Sequence, residues 1–530
     1  MFFTSYSFII FLSIIFLLYY LIPKRLQWPL LLIASYIFYG FAGIKYFTYI
    51  VLTTISTYIV GLKIGNLYKE ESKYLKENKG ILSRVELKEY RTTSKSIRWK
   101  WLLFCMLLNF GILGVTKYTN FTISNINFIL AKLGSGRQLG FLDIALPMGI
   151  SFYTFKSMGY IIDVYRGKYE PERNIFKFAL FVSFFPQIIQ GPISRFDDLS
   201  ETLFKEHNFD IKNFNDGMIR ILWGFFKKLV IADRILVGVN TIIRNPDTYQ
   251  GAFVFIGMLF YAYQLYADFT GGIDITIGIS QVLGIKIKEN FDRPYFSKNI
   301  AEYWRRWHIT MGTWFKDYLF YPISVYKPML NFSKYARRTF GDSIGKRLPV
   351  YISSIIVWFT TGIWHGASWN FIMWGLTNCF VILVSQELTP FYNWFHSKFN
   401  VKDKFLFRSF QVVRTILLMS AIRLFDCYRD VPMTFRMFGS MFTNFNVSDL
   451  FNGSLLNLGL SFADYIVLLI GLVILTTVSL IQRKGSVRDR LYKKPAILRY
   501  SVYYVLIVSI IVFGAYGVGY DSSQFIYNQF

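Results

Sequence analysis

Apolar stretches of about twenty residues recur along the whole chain, and they constrain the fold more than any other feature. The first, Ser7 to Ile22, has no Lys or Arg before it and no small-residue cleavage site after it, which predicts a membrane span rather than a signal peptide. Further stretches occupy residues 28–44, 46–62, 101–118, 144–162, 175–193, 217–243, 251–267, 270–287, 349–364, 367–386, 407–425, 463–482 and 499–517. We therefore predict an all-α polytopic membrane protein with about eleven to fourteen transmembrane or re-entrant helices, because roughly 20 apolar residues cross a bilayer.

The composition agrees with a membrane protein that forms one integral domain over residues 1–530. Hydrophobic residues make up 53% of the chain and charged residues only 17%, whereas about 25% is usual in soluble proteins. This balance argues against a soluble or disordered protein. The three cysteines form no Cys-x-x-Cys pair, which argues against a zinc site and a disulfide scaffold.

Three basic segments predict the orientation of the chain in the membrane. Residues 63–100 carry eleven Lys and Arg against five acidic residues, residues 327–347 carry six against one, and residues 483–499 carry seven against one. Basic loops stay in the cytoplasm, so we expect these segments inside and both termini outside. The same rule accounts for the net charge of +26 without nucleic acid as a partner.

One polar cluster, residues 290–328, is too charged to cross lipid and too aromatic for an ordinary solvated loop. Charge within so apolar a chain is costly and usually functional. An interfacial amphipathic helix with an aromatic belt and snorkelling arginines would give the same pattern. The candidate site residues in this cluster are Trp304, Arg305, Arg306, Trp307, His308, Lys316 and Asp317.

A second cluster, residues 360–374, centres on His365, which follows Trp364 in a strongly apolar region. It is the only Lys, Arg, Asp, Glu or His between Arg347 and Glu387. A histidine in such a region needs partners or a water-filled cavity. Imidazole is well suited to take and return a proton near neutral pH. The alternative is a core histidine that only bonds a backbone carbonyl.

Motifs along nearly the whole chain resemble those of the membrane-bound O-acyltransferase family. The chain is similar to its bacterial branch, which acetylates alginate, peptidoglycan and exopolysaccharides. Two histidine motifs, 303–308 and 362–367, are the most specific, and their histidines stand 57 residues apart. The matching stretches are Leu146–Tyr153, Tyr160–Arg166, Phe184–Gln187, Gly191–Arg195, Phe225–Asp233, Tyr266–Gly271, Tyr303–His308, Thr313–Tyr318 and Gly362–Ala367. The chain departs from relatives at Gly272–Asp274 and at Arg423–Asp426, where relatives more often read Phe-Phe-Arg-Ala.

The resemblance implies a fold and a direction of transfer. The fold would be a ring of tilted helices around a central tunnel. A thioester donor, expected to be acetyl-CoA, would enter from the cytoplasm, and the acetyl group would leave outside for a cell-envelope or secreted polysaccharide. The resemblance further implies the bacterial cytoplasmic membrane as location and an extracytoplasmic SGNH-type acyltransferase as partner. It implies no metal and no permanently bound cofactor.

The resemblance also assigns roles to the candidate residues. His365 would be the catalytic histidine and general base, and His308 would position the thioester or help protonate the leaving group. Trp304, Trp307 and Trp364 would shape a dry tunnel. Arg305, Arg306 and Lys316 would meet donor phosphates, although contact with lipid headgroups is an equal alternative for these cations.

Two other functions remain open from the sequence. The first is transfer of D-alanine from a carrier-protein thioester to teichoic acid, although the chain's length favours the acetyltransferase branch. The second is a polysaccharide transporter or export component, which many spans and intramembrane charges also suit. Transporters often contain internal repeats, and we find none in this sequence.

The last candidate lies in a C-terminal tail, residues 519–530, which we expect outside the membrane. Its sequence Phe525-Ile-Tyr-Asn-Gln-Phe530 resembles a C-terminal motif of this family in which the tyrosine is implicated as an acyl carrier. Tyr527 is therefore a candidate acyl acceptor. An aromatic tail that rests at the membrane interface is the plainer alternative.

Overall fold

The computed structural model describes residues 3–144, 146–516 and 520, and its regular structure is helical throughout, with no strand of a sheet among these residues. In this part of the chain, seven helices are long and apolar enough to cross a membrane. An eighth is possible if Trp369–Glu387 and Thr389–Lys398, bent by 48°, form one span. The seven are Ile44–Glu77, Arg84–Lys132, Ala252–Val282, Lys327–His365, Phe405–Tyr428, Phe462–Gln482 and Ala496–Phe513. The prediction of an all-α polytopic membrane protein is confirmed.

Two predicted boundaries within the helices were wrong. The apolar stretches 251–267 and 270–287 form a single helix, Ala252–Val282. Gly271, near their junction, allows close helix packing, because a Cβ there would lie 2.9 Å from the carbonyl oxygen of Gly224. The basic segment 327–347 is not a loop but the first half of the helix Lys327–His365, with a kink at Gly341, where φ is +77°.

Several other predicted apolar segments are helices too short or too broken to span a bilayer. The helices Tyr6–Leu21 and Ile150–Tyr165 have 16 residues each. Residues 175–193 form two short helices, Ile175–Ser183 and Phe185–Ile188, and Pro186 lies in the first turn of the second. Proline cannot donate the backbone hydrogen bond that would continue the preceding helix, so a helix ends before it.

Backbone contacts divide the chain into two compact units. The first comprises residues 1–214 and 280–287. Its core includes Tyr160, whose ring centroid lies 4.6 Å from that of Phe178 and 5.1 Å from that of Phe196. Its helices are Tyr6–Leu21, Gln27–Gly40, Phe47–Glu77, Arg84–Lys132, Ile150–Tyr165, Ile175–Ser183, Phe185–Ile188 and Phe196–Leu203.

The second unit comprises residues 215–279 and 288–530 and contains both candidate histidines. Two of its segments, Phe226–Ala232 and Lys316–Phe320, are π-helical, a form that is rare and frequent at functional sites. The α-helices that lie mostly or wholly in it are Ile211–Phe225, Asp233–Arg244, Ala252–Val282, Ile300–Arg306, Ile309–Phe315, Tyr321–Ser324, Lys327–His365, Trp369–Glu387, Thr389–Lys398, Phe405–Ile422, Leu424–Tyr428, Val431–Thr443, Phe462–Gln482, Val487–Tyr492 and Ala496–Phe513.

A fully buried ion triad lies in the second unit. The Nζ of Lys228 is 2.7 Å from an oxygen of Asp233 and 2.7 Å from an oxygen of Asp268, and all three side chains are inaccessible to solvent. The π-helical turn brings Lys228 beside Asp233. Its pairing with Lys228 is consistent with a role of Asp268 in the scaffold.

Replacing Lys228 with methionine is expected to destabilise the protein strongly. The substitution leaves two carboxylates buried without their ammonium partner, and breaking a buried pair in this way costs about 3–5 kcal/mol. Thermal unfolding of the detergent-purified protein measures the loss. Lys346→Met is the matched control, because Lys346 forms an exposed pair with Asp342 over 2.7 Å. Equal melting temperatures for the two variants would contradict the prediction.

Candidate active site

His308 stands at a sharp break between two short helices, Ile300–Arg306 and Ile309–Phe315. Its backbone is left-handed, with φ 49° and ψ 52°. This conformation is uncommon for a residue with a side chain, and strained residues of this kind cost about 1–3 kcal/mol and cluster at functional sites. The buried His308 is therefore held in place by its surroundings rather than by local preference.

Asn290 supplies much of that restraint. Its backbone oxygen accepts a hydrogen bond from the N–H of Ile309 at 2.9 Å. Its side-chain oxygen accepts two more from Thr310, one from the N–H at 3.0 Å and one from the hydroxyl at 2.9 Å. Asn290 is fully buried, so it fixes the two residues that follow His308.

Replacing Asn290 with alanine is expected to reduce acyl transfer by about 10–100-fold, because misplacing a reacting group by about 1 Å can have such an effect. Asn290→Asp keeps an acceptor oxygen and is expected to retain more activity. The rate of labelled-acetyl transfer by the purified protein measures both. Asn245→Ala is the control, since the exposed Asn245 side chain donates to the backbone oxygen of Thr241. Wild-type turnover in Asn290→Ala would show that His308 does not need this support.

His365 is the last residue of the helix Lys327–His365, and the extended Gly366 ends that helix. The helix packs very closely against Trp369–Glu387. A Cβ at Gly362 would lie 2.5 Å from the carbonyl oxygen of Phe371, and one at Gly375 would lie 2.4 Å from the carbonyl oxygen of Trp358. Only glycine fits at these two positions. Their backbone contacts fix the position of His365 along the neighbouring helix.

A continuous series of aromatic rings joins the two histidines. The centroid of the Trp364 ring lies 6.0 Å from that of His308 and 5.0 Å from that of His365. On their other sides, His308 contacts Phe269 at 5.0 Å and His365 contacts Trp374 at 4.7 Å. Two histidines that are 57 residues apart in the sequence are thus brought into one aromatic cluster.

A cavity of about 460 Å³ lies beside this cluster, within the range of small-molecule sites. Four predicted site residues line it: Trp304, Arg305, Trp307 and Lys316. The histidines themselves do not line it, but Trp307 and Ile309, the chain neighbours of His308, do. So does Thr361, one helical turn before His365.

The remaining predicted residues have other surroundings. Arg306 pairs with Glu302 at 2.6 Å, and the carboxylate partly neutralises the charge of the guanidinium. Asp317 is half-buried and does not line the cavity, and Trp364 lies between the histidines instead. Of the predicted cations, Arg305 and Lys316 are both exposed and at the cavity.

The electrostatic state of His308 follows from its burial. His308 lies outside the seven candidate spans, and burial lowers the pKa of its imidazole to about 3, with the positive charge of Arg423 acting in the same direction. The His308 imidazole is therefore neutral at physiological pH. A neutral imidazole donates one N–H hydrogen bond and accepts another.

Sequence reasoning missed Arg423 and Asp426 as part of this site. They are buried, they pair over 2.7 Å, and the Arg423 guanidinium lies 5.0 Å from the ring centroid of Trp307 and 5.1 Å from that of Trp374. The signal that could have found them is a pair of opposite charges at the end of an apolar stretch, where charge is costly.

The start of the C-terminal tail is anchored in the second unit. Arg234 pairs with Asp464 and donates a hydrogen bond to the carbonyl oxygen of Phe513 at 2.5 Å. The Tyr520 hydroxyl donates to Asp464 at 3.3 Å. Apart from Tyr520, the predicted tail 519–530 lies outside the described residues, and so does the candidate acceptor Tyr527.

Comparison with known proteins places this site in a family. The sequence pattern of the membrane-bound O-acyltransferase family matches residues 172–429, which include both histidines. The chain is 33% identical to the probable alginate O-acetylase AlgI of Pseudomonas syringae pv. tomato, over 84% of this chain and 76% of that protein. It is 30% identical to the peptidoglycan O-acetyltransferase of Helicobacter pylori, over 73% of this chain and 70% of that protein.

A more distant relative is the teichoic acid D-alanyltransferase of Bacillus subtilis, which is 30% identical over 49% of this chain and 62% of that protein. The names of all three relatives describe the transfer of an acyl group. An enzyme is therefore favoured over a transporter, which was the open alternative of a different class. On the helical architecture, the matched region and the extent of these similarities, the chain belongs to the membrane-bound O-acyltransferase family and is an acyltransferase of its O-acetylase branch.

Proposed function

We propose that this protein transfers an acetyl group from cytoplasmic acetyl-CoA, through the bacterial cytoplasmic membrane, toward a polysaccharide of the cell envelope or one that is secreted. The observation that carries the proposal is the aromatic series that joins His308 to His365 beside the cavity. The similarity to alginate and peptidoglycan O-acetylases over most of the chain supports the choice of acetyl group and polysaccharide.

His365 acts as general base in this mechanism. It takes the proton of the attacking hydroxyl, the hydroxyl oxygen forms a bond to the thioester carbon, and the carbon–sulfur bond breaks. The thiolate leaves toward the cytoplasm and takes up a proton there, and His365 releases the proton that it took, which restores the neutral base. The buried Trp364 and Trp374 rings that contact His365 keep water away from the thioester, which would otherwise be hydrolysed.

His308 positions the thioester in this mechanism. Because burial lowers its pKa to about 3, the imidazole has no additional proton to give at neutral pH. Of the two roles considered from the sequence, we therefore favour a hydrogen bond from its neutral N–H to the thioester oxygen over protonation of the leaving group.

The donor's phosphates are assigned to Arg305 and Lys316. Both cations are exposed and line the cavity, whereas Arg306 is paired with Glu302. Arginine binds phosphate in a bidentate manner and lysine binds it as a point charge. The cavity of about 460 Å³ suits the slender pantetheine arm of the donor, with the nucleotide outside.

The test is transfer of labelled acetyl from acetyl-CoA by the purified protein in proteoliposomes, followed by mass spectrometry of envelope polymers from a strain lacking the gene. We expect labelled acetyl to leave acetyl-CoA, and ester-linked acetyl to disappear from the polymer.

D-Alanyl transfer from a carrier protein is the second candidate, which the relative in Bacillus subtilis favours. Transfer from a D-alanyl carrier thioester and none from acetyl-CoA would select it.

The direction of transfer rests on the orientation of the chain, with its basic segments in the cytoplasm and both termini outside. We expect a cysteine at Lys79 or Lys494 to resist an impermeant thiol reagent in intact cells and to react after lysis, and one at Ser523 to react in intact cells. The unmodified protein is the control, because its own Cys105, Cys379 and Cys427 are buried. The reverse pattern would reverse the proposed direction.

Delivery to the polymer completes the proposal. The acetyl group leaves this protein on the outer side, where an SGNH-type acyltransferase collects it and passes it to the polysaccharide. Co-purification of such an enzyme with the detergent-solubilised protein, together with loss of polymer acetylation when that enzyme alone is deleted, is the expected result.

A further inference from the structure

An ion pair lies near the end of a candidate membrane span, where charge is costly. Arg423 and Asp426 lie within Phe405–Tyr428, a helical stretch long and apolar enough to cross the membrane. The Arg423 Nη1 donates to the Asp426 carboxylate at 2.7 Å, and both side chains are buried. Ionisable residues inside spans are rare and mark functional positions.

The Arg423 guanidinium lies in a box of three tryptophans. Its central carbon is 5.0 Å from the ring centroid of Trp307, 5.1 Å from that of Trp374 and 5.8 Å from that of Trp304. A guanidinium within about 6 Å of an indole face is attracted by the ring, and the attraction grows when water is excluded. One cation thus holds three indoles at once.

The three tryptophans belong to the surroundings of both histidines. Trp307 directly precedes His308, and the Trp374 ring lies 4.7 Å from that of His365. Trp304 contacts Trp374 at 5.5 Å, and its indole N–H donates to Asn378 at 3.1 Å. Arg423 therefore contacts two indoles of the His308 motif, Trp304 and Trp307, and the indole of Trp374 beside His365.

The segment that carries Arg423 is itself fixed to the helix that carries Trp374. The side-chain amide of Asn370, on Trp369–Glu387, donates to the carbonyl oxygen of Phe425 at 3.0 Å. Asp426 orients the guanidinium plane through its bond to Nη1. A side-chain hydrogen bond with the buried Tyr303 and packing against the indoles fix the rest of the Arg423 guanidinium.

We propose that Arg423, oriented by Asp426, is a positioning residue for acyl transfer: by holding Trp307 and Trp374 together it sets the placement of His308 relative to His365. The inference rests on the proposed function of the two histidines. It assigns to Arg423 no contact with the reacting atoms.

The decisive variant removes both charges together. Removing one partner of a buried pair leaves an uncompensated charge and can unfold the protein, whereas replacing both with apolar residues is often neutral for stability. In Arg423→Met/Asp426→Leu we expect a folded protein whose kcat falls about 10–100-fold, as for misplaced reacting groups, with the KM for the thioester unchanged. Arg423→Lys keeps the charge but lacks the planar guanidinium, and we expect an intermediate kcat.

The matched control is the pair Arg98–Glu71 in the other unit. Arg98 is also buried, also paired with a carboxylate, and also stacked on an aromatic ring, with its central carbon 3.8 Å from the centroid of Tyr68. We expect Arg98→Met/Glu71→Leu to keep the wild-type kcat. Wild-type kcat in both Arg423→Met/Asp426→Leu and Arg423→Lys would overturn the proposal.

A second readout does not depend on activity. Diethyl pyrocarbonate modifies accessible histidines, and mass spectrometry reports the rates at His308 and His365 separately. We expect both rates to rise severalfold in Arg423→Met/Asp426→Leu and to stay at wild-type values in Arg98→Met/Glu71→Leu. Unchanged rates would overturn the positioning role. If wild-type protein transfers no acyl group but the rates do rise, the proposed function fails while the positioning role stands.

Discussion

Replacing His365 with alanine is expected to abolish acyl transfer while the protein remains folded in membranes. The variant removes the proposed general base, and loss of such a base typically reduces a rate by about 10²–10⁴-fold. His365 is the last residue of its helix, so its backbone hydrogen bonds do not depend on the imidazole. Labelled-acetyl transfer by purified protein in proteoliposomes measures the effect.

Two other histidine variants are the comparisons for His365→Ala. His308→Ala is expected to be impaired less severely than His365→Ala, because His308 has a supporting role in the mechanism. His396→Ala is expected to keep wild-type transfer, since His396 lies on the helix Thr389–Lys398, away from the aromatic cluster. Normal transfer in purified His365→Ala would remove that residue from the chemistry.

Replacing Tyr527 with phenylalanine is expected to abolish acetylation of the polymer without lowering the abundance of the protein. In this hypothesis the Tyr527 phenol attacks the thioester after His365 takes its proton, and the resulting aryl ester is a good acyl donor for the enzyme outside. The phenol needs that base because its ordinary pKa near 10 keeps it protonated at neutral pH. The substitution removes only the hydroxyl, so aromatic packing is kept.

Mass spectrometry of the envelope polymer tests the Tyr527 variant in cells. Tyr504→Phe is the control, because Tyr504 is an exposed tyrosine on the last helix, Ala496–Phe513. We expect ester-linked acetyl to be lost with Tyr527→Phe and retained with Tyr504→Phe. Full acetylation with Tyr527→Phe would leave the tail as an interfacial anchor and the first acyl acceptor unidentified.

The helical class could be predicted, and the two histidines could be put forward as candidates, because each depends on a local pattern. Apolar length alone predicts spans such as Phe462–Gln482, which the structure reproduces almost to the residue. Apolar length alone cannot tell a glycine that interrupts a helix from one that lets two helices touch, as Gly271 does. A basic composition also does not determine the backbone conformation of a segment. The sequence therefore predicts a loop at residues 327–347, where the structure has a helix.

The supports of the histidines could not be predicted because they come from distant parts of the chain. Asn290 reads as one polar residue in a loop, and only the fold shows that it fixes the residues after His308. Arg423 follows His365 by 58 residues, and nothing in its local sequence points to Trp307. Hydropathy and motifs identify candidate site residues, whereas the residues that hold them in place depend on tertiary packing.

Under the Tyr527 hypothesis, the anchored start of the C-terminal tail has a consequence for the kinetics of the enzyme. Tyr520 is fixed to Asp464, and Tyr527 follows it by seven residues, so the Cα of Tyr527 can lie at most about 25 Å from the Cα of Tyr520. A short tether of this kind gives an effective concentration in the millimolar range, without any affinity for the site. An acceptor that never dissociates also accepts only once. Without an enzyme outside to unload it, the reaction would be a burst whose amplitude is one acetyl per chain. With that enzyme present, and unloading slower than transfer, steady turnover would report the rate of unloading.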